Sequence, residues 1–314
     1  MCTAFGMTNG DFYLGRTLDW HCSYGEKIIV TPRNCKINYK YAKSQQTGYA
    51  IMGTALNGSG FPLYYEAINE KGLCMAGLNF PNNCAYFKPN QDKLNITSYE
   101  FIPYVLRKCE NYSQAKEMIN NLNITDDAFS SEMPPASLHW LICDKSGAIT
   151  VEQTEKGLKI YDNPLKVLTN NPPFDLQLEN LKKYENLSPF EDKNSMIFNS
   201  DKYFCSGTGA LGLPGDNTSM SRFVRTVFNS QNVQRTDDNN SNPATVFKIL
   251  SKVECIKGCV RTNNGDDYTV YSVCFNADKG LYFVKTYNDD KITTAKLTDY
   301  ELNANQLFIT DIKQ

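Results

Sequence analysis

Asn9-Gly10 stands between two short, aromatic-rich runs, residues 2–7 and 11–16, and Asn-Gly is the strongest two-residue signal for a β-hairpin. The chain start therefore has to fold back on itself, which brings Cys2 beside residues 16–19. With Asn9-Gly10 as the loop, Thr8 pairs with Asp11, and counting outward sets Cys2 opposite Thr17. Side chains alternate along a strand, so this register puts Asp19 on the Cys2 face. Arg16 falls on the other face and would reach Cys2 only around the strand or through a bulge.

Removal of Met1 makes Cys2 the N-terminal residue, and only methionine excision is needed to expose it. Such a residue carries a nucleophile and a base together, because a free α-amine of pKa about 7.7–8.0 can take the proton of the neighbouring thiol. No histidine is required, and the two present, His21 and His139, lie in no Cys/His protease signature. Gly15-Arg16-Thr17-Leu18-Asp19 adds a cation that can stabilise a thiolate and a carboxylate that can orient an amine. Asn170, between a predicted strand and Pro172-Pro173, can donate its amide to a developing oxyanion. Taken singly, each has a plainer reading: a second-place cysteine is usually inert, an Arg/Asp pair at this spacing is usually a surface ion pair, and Asn before Pro is usually a turn.

Composition excludes several alternatives. The chain has 314 residues, 41% of them hydrophobic, which can bury a full core; we expect one domain over residues 1–314. No apolar run approaches the ~18 residues of a membrane span, so a soluble chain is expected. The 32 basic and 34 acidic residues nearly cancel, without long basic runs, which argues against nucleic acid and anionic membranes as partners. Eleven scattered cysteines read as free thiols in a reducing, cytoplasmic setting, and Cys255 and Cys259 have no second pair at zinc-site spacing. Gly207-Thr208-Gly209-Ala210-Leu211-Gly212 matches a dinucleotide fingerprint, but Pro214-Gly215 follows at once and no helix can open there to hold a pyrophosphate.

Strands are predicted over residues 27–31, 49–55, 73–80, 139–144, 148–153, 166–169, 268–276, 281–285 and 292–296. Helices are predicted over 99–109, 112–121, 175–184, 219–229 and 244–253, with loops over 55–63 and 231–242. Strand groups at both ends with helices in blocks between them indicate an antiparallel α+β layering.

Met1-Cys2-Thr3, Gly15-Arg16-Thr17-Leu18-Asp19, Asn69-Glu70-Lys71-Gly72, Gly77-Leu78-Asn79-Phe80-Pro81, Val151-Glu152-Gln153-Thr154, Leu168-Thr169-Asn170, Gly212-Leu213-Pro214-Gly215-Asp216, Ser221-Arg222-Phe223 and Asp267-Tyr268-Thr269 follow in one order nearly end to end. In this the chain resembles the choloylglycine hydrolase family of bile salt hydrolases and penicillin V acylases. The resemblance implies an N-terminal nucleophile (Ntn) hydrolase fold, a four-layer αββα sandwich of two antiparallel sheets. It implies Cys2 as nucleophile, Arg16 and Asp19 as the residues that set its thiolate and amine, and Arg222 in the same polar network. It also implies Asn170 and the Asn79 N–H as oxyanion donors, with no cofactor or metal. Asn79 resembles the bile salt hydrolases, whereas penicillin acylases tend to carry an aromatic residue there. A conjugated bile salt is thus the expected substrate, with its steroid against Leu18, Tyr65, Phe129 and Met133, in a homotetramer. A penicillin V acylase or other N-acyl amide hydrolase is the alternative, and after it a catalytically silent small-molecule binder of the same fold.

Overall fold

The computed structural model describes residues 1–190, 209–235 and 243–312. In chain order the strands are β1 (Cys2–Asn9), β2 (Asp11–Trp20), β3 (Lys27–Thr31), β4 (Ile51–Gly58), β5 (Phe61–Asn69), β6 (Cys74–Asn79), β7 (Leu94–Thr97) and β8 (Leu122–Thr125). They continue as β9 (Leu138–Cys143), β10 (Ala148–Thr154), β11 (Gly157–Asp162), β12 (Val167–Leu168), β13 (Val260–Thr262), β14 (Gly265–Asn276), β15 (Leu281–Thr286), β16 (Thr293–Lys296) and β17 (Phe308–Asp311). Among the described residues the α-helices are α1 (Phe101–Leu106), α2 (Tyr112–Ile119), α3 (Phe174–Leu181), α4 (Ser219–Asn232) and α5 (Ala244–Leu250).

Two antiparallel sheets dominate. The first runs β12-β1-β2-β14-β15-β16, with β13 on β14, and the second runs β11-β10-β9-β6-β5-β4-β3-β17. β1 lies against β6 and β9 across the gap between them, while α4 and α5 cover the first sheet and α1 and α2 the second. The result is the expected αββα layering. The inter-sheet side chains form one core with those under α4 and α5, and a separate core lies between the second sheet and α1 and α2. Among the described residues no helix is long and apolar enough to cross a membrane.

The opening hairpin forms, but its register is displaced by one residue from the sequence expectation. Gly10, at φ +70, sits alone at the tip; Thr8 faces Phe12 and Cys2 faces Leu18. A one-residue slip exchanges the two faces of a strand. Arg16, opposite Ala4, therefore shares the Cys2 face toward the second sheet without any bulge, and Asp19 lies on the α4 side with Thr3 and Thr17.

The loop expected over residues 55–63 is also corrected. β4 and β5 pair up to Gly58 with Phe61, leaving Ser59 and Gly60, both at positive φ, as a two-residue turn. β5, β7, β8, β11, β13 and β17 are strands that the sequence pattern does not mark; most are short or half-exposed, with weak alternation. Residues 231–232 close α4, Gly207 and Thr208 and residues 236–242 lie outside the described residues, and the other predicted helices and strands occur within a few residues of their expected bounds.

Candidate active site

Cys2 lies 3% exposed between the sheets. Its sulfur is 3.5 Å from Arg16 Nη2, which also donates to the Gly77 carbonyl (3.3 Å). Arg16 Nη1 donates to Glu66 Oε2 and to the Tyr271 hydroxyl (2.6 Å), while Tyr271 donates to Glu66 (3.0 Å). Arg16, Glu66 and Tyr271 are all buried. Burial works against the guanidinium charge, but Glu66, Tyr271 and Cys2 more than offset it and hold Arg16 firmly protonated.

Two β-bulges build this constellation. The β4–β5 register shifts so that Tyr64 faces Ala55 and Glu66 faces Thr54, with Tyr65 as the extra residue. Tyr64 therefore joins the outer core while Glu66, two residues on, turns inward to Arg16. The β2–β14 register shifts between Thr269 and Tyr271 in the same way, so Thr269 meets Asp19 on one face and Tyr271 meets Arg16 on the other.

On the helix side, Asp19 is fully buried and accepts from the Thr269 hydroxyl (2.6 Å) and the Thr17 hydroxyl (3.2 Å). Burial pushes its carboxyl up, against the pull of Arg222 and the chain-terminal ammonium. The Met1 amine donates to the Asp19 carbonyl and lies 3.7 Å from Asp267.

Thr218 caps α4 by accepting from the Ser221 N–H, and the following turn presents Arg222. Its Nη1 donates to the Cys2 carbonyl and to Thr3 Oγ1 (2.6 Å), and its Nη2 to Asn170 Oδ1 (2.8 Å). Asn170 Oδ1 also accepts from the Cys2 N–H (2.7 Å), and Asn170 Nδ2 donates to the Asn79 carbonyl (2.7 Å).

Strand geometry settles where the Asn79 N–H points. Phe80 N–H donates to the Ser137 carbonyl (2.8 Å), which makes that a hydrogen-bonded pair of the ladder. The adjacent pair, Asn79 with Leu138, must direct its N–H and C=O outward. β5 pairs β6 only as far as Ala76, so the Asn79 N–H emerges on the open edge where its carbonyl meets Asn170.

Beyond Arg16 a cavity of about 190 Å³ opens, walled by Tyr65, Gly77, Phe129, Met133, Leu138 and Trp140 among others. Of the residues that the resemblance placed against a substrate, Tyr65, Phe129 and Met133 line this one cavity. Leu18 is not among the lining residues; it is buried between the sheets opposite Cys2. Glu66, Tyr271 and Trp140 were missed. Glu66 left a signal: it is a lone carboxylate in the strand Phe61–Asn69, and a charge in such a run demands a buried counter-ion.

Two stacked antiparallel sheets between helical layers, with a buried thiol on the first strand, are the architecture of the Ntn-hydrolase class. The sequence pattern of linear amide C–N hydrolases of the choloylglycine hydrolase family matches residues 2–310, and the chain belongs to this family. It is 41% identical to the bile salt hydrolase/transferase of Lactiplantibacillus plantarum, over 98% of this chain and 95% of that protein. Its fold superposes on the crystal structure of a mutant conjugated bile acid hydrolase from Clostridium perfringens with TM-score 0.92 at 33% identity, covering 100% and 97% of the two chains. The penicillin V acylase of Agrobacterium tumefaciens shares the fold, with TM-score 0.78 at 20% identity over 99% and 91%.

Proposed function

We propose that this chain is a bile salt hydrolase, cleaving glycine- or taurine-conjugated bile salts to free bile acid and amino acid through a thioester on Cys2. The observation that carries the substrate class is the junction of cavity and thiol. Tyr65 and Gly77 wall the apolar cavity and also touch the Arg16 guanidinium, by its cation–π contact with the Tyr65 ring and its hydrogen bond to the Gly77 carbonyl. The same guanidinium contacts the Cys2 sulfur. A rigid apolar body in the cavity would therefore present a polar amide arm to the nucleophile. The names and identities of the relatives point the same way.

Excision of Met1 frees the Cys2 α-amine. That amine takes the thiol proton, Arg16 stabilises the thiolate, and sulfur attacks the amide carbonyl. Asn170 Nδ2 and the Asn79 N–H hold the oxyanion, while Arg222 and Asp19 fix Asn170 and the chain terminus. The Cys2 ammonium protonates the departing amine; the thioester that remains is hydrolysed by water activated by the same amine. From the family we take the enzyme to be cytoplasmic and homotetrameric; light scattering on the purified protein tests the tetramer, and cell fractionation tests the location.

The deciding experiment measures amine release from taurocholate, glycocholate and penicillin V, with intact mass and a Cys2→Ser control. Release from a bile salt by protein lacking Met1, with the control inactive, is the expected result. Turnover of penicillin V alone would replace the substrate, and no turnover by a processed protein would overturn the proposal.

A further inference from the structure

His139 and Glu152 belong to none of the steps above, yet both are 0% exposed and lie immediately behind the two oxyanion donors. His139 sits near the start of β9. Glu152, on β10, is one step beyond Val151, which pairs with Trp140, so the two side chains are cross-strand neighbours. His139 Nδ1 is 3.0 Å from Glu152 Oε1. Its Nε2 is 2.7 Å from the Thr169 carbonyl, which can only accept, so Nε2 carries a hydrogen. Glu152 Oε1 in turn accepts from the Phe174 N–H (3.0 Å).

The pair thus grips both ends of the turn 169–174, on which Asn170 is carried, from the opposite sheet. The ring also stacks on Phe80, with centroids 4.3 Å apart and planes 6° from parallel, and Phe80 follows Asn79 directly. One side chain therefore ties together the two backbone segments that supply the two oxyanion donors. Ser219 and Gln177 anchor the turn from the first-sheet side, through Asn170 N–H to Ser219 Oγ (2.8 Å) and Gln177 Nε2 to the Asn170 carbonyl (3.2 Å). The turn also meets the Asn79 segment directly, through Asn170 Nδ2 to the Asn79 carbonyl (2.7 Å) and Asn171 Nδ2 to the Pro81 carbonyl (2.7 Å), and His139 braces the two segments from behind these contacts.

We infer that His139, held by Glu152, is a positioning residue that sets the spacing of Asn170 and the Asn79 N–H, and so tunes carbonyl chemistry without touching substrate. This rests on the oxyanion reading proposed above. A burial-matched disruption is the double variant His139→Phe/Glu152→Leu, which keeps a ring on Phe80 and leaves no orphaned buried charge. A second variant, His139→Gln, keeps an N–H donor for the Thr169 carbonyl.

Two reactions of the same thiol separate positioning from general damage. Amide hydrolysis passes through an oxyanion; alkylation of Cys2 by iodoacetamide is a displacement at carbon that forms none. For the double variant kcat on a bile salt should fall by ~100-fold, the loss expected when a reacting group is misplaced by about 1 Å. KM and the alkylation rate, read by mass on the Cys2 peptide, should stay within about twofold of the parent on this reading. His139→Gln should recover most of kcat. Unchanged kcat, or alkylation falling in parallel with hydrolysis in both variants, would overturn the inference. Asn170→Ala is run alongside: if it hydrolyses normally the oxyanion reading itself has failed, whereas a collapse there with normal turnover in the His139 variants refutes only the positioning role.

Discussion

Replacing Glu66 by alanine tests the buried charge pair beside the nucleophile. Glu66 is 0% exposed and is the anionic partner of Arg16, itself 1% exposed. Without the carboxylate, Arg16 keeps only the Tyr271 hydroxyl, the Gly77 carbonyl and the Cys2 sulfur as hydrogen-bond partners. Breaking a buried pair by removing one partner costs about 3–5 kcal/mol because the remaining charge is uncompensated. That is a large share of the roughly 5–15 kcal/mol that holds a native protein together. The double variant Arg16→Met/Glu66→Leu removes both charges in apolar side chains of similar bulk and should regain most of that loss. Urea denaturation of the parent, Glu66→Ala and the double variant, monitored by tryptophan fluorescence, gives the three stabilities. A cost below about 1 kcal/mol for Glu66→Ala, or a double variant no more stable than the single, would refute the argument that this charge is compensated chiefly by Glu66.

Three further outcomes follow from the geometry. Arg222→Lys keeps the charge but cannot bridge the Cys2 carbonyl, Thr3 and Asn170 at once, so steady-state kinetics should show kcat reduced by ~100-fold with KM little changed. A β-carbon on Gly58 would stand 2.6 Å from Phe129 Cζ and 3.1 Å from Leu63 Cδ1, so Gly58→Ala should reshape the cavity wall and raise KM for a bile salt by ~10-fold while the chemical step persists. The Ser221 and Thr218 hydroxyls hold the Asp216 carboxyl down at about 2. A depressed acid contributes stability above its unfolded value, near 3.9, and loses it as pH falls through the folded value. Thermal melts from pH 5 to 2 should therefore show Asp216→Asn lacking part of the parent's acid sensitivity, by less than ~1 kcal/mol for this exposed group.

The sequence alone determined the ingredients of this protein. Asn9-Gly10 marks where the chain start folds back into a hairpin, with Gly10 taking the positive φ at its tip, and Cys2, Arg16, Asp19, Asn79, Asn170 and Arg222 stand in an order that resembles one family. The helices expected over 112–121 and 219–229, found at Tyr112–Ile119 and Ser219–Asn232, were legible from their apolar spacing, and β3 from its run of aliphatic residues.

What the sequence could not determine is which side chain faces which. The hairpin slips by one residue relative to the ideal count, and that exchange alone puts Arg16 rather than Asp19 on the thiol's face. Bulges at Tyr65 and between Thr269 and Tyr271 then turn Glu66 and Tyr271 toward Arg16, against the two-residue period by which strands are read. The tie from His139 to the Thr169 carbonyl joins opposite sheets across 30 positions of sequence. Local rules fix the period of a strand, but register and bulges are chosen by which arrangement buries the most apolar surface while leaving no inward charge unpaired, and that choice exists only once both sheets have met.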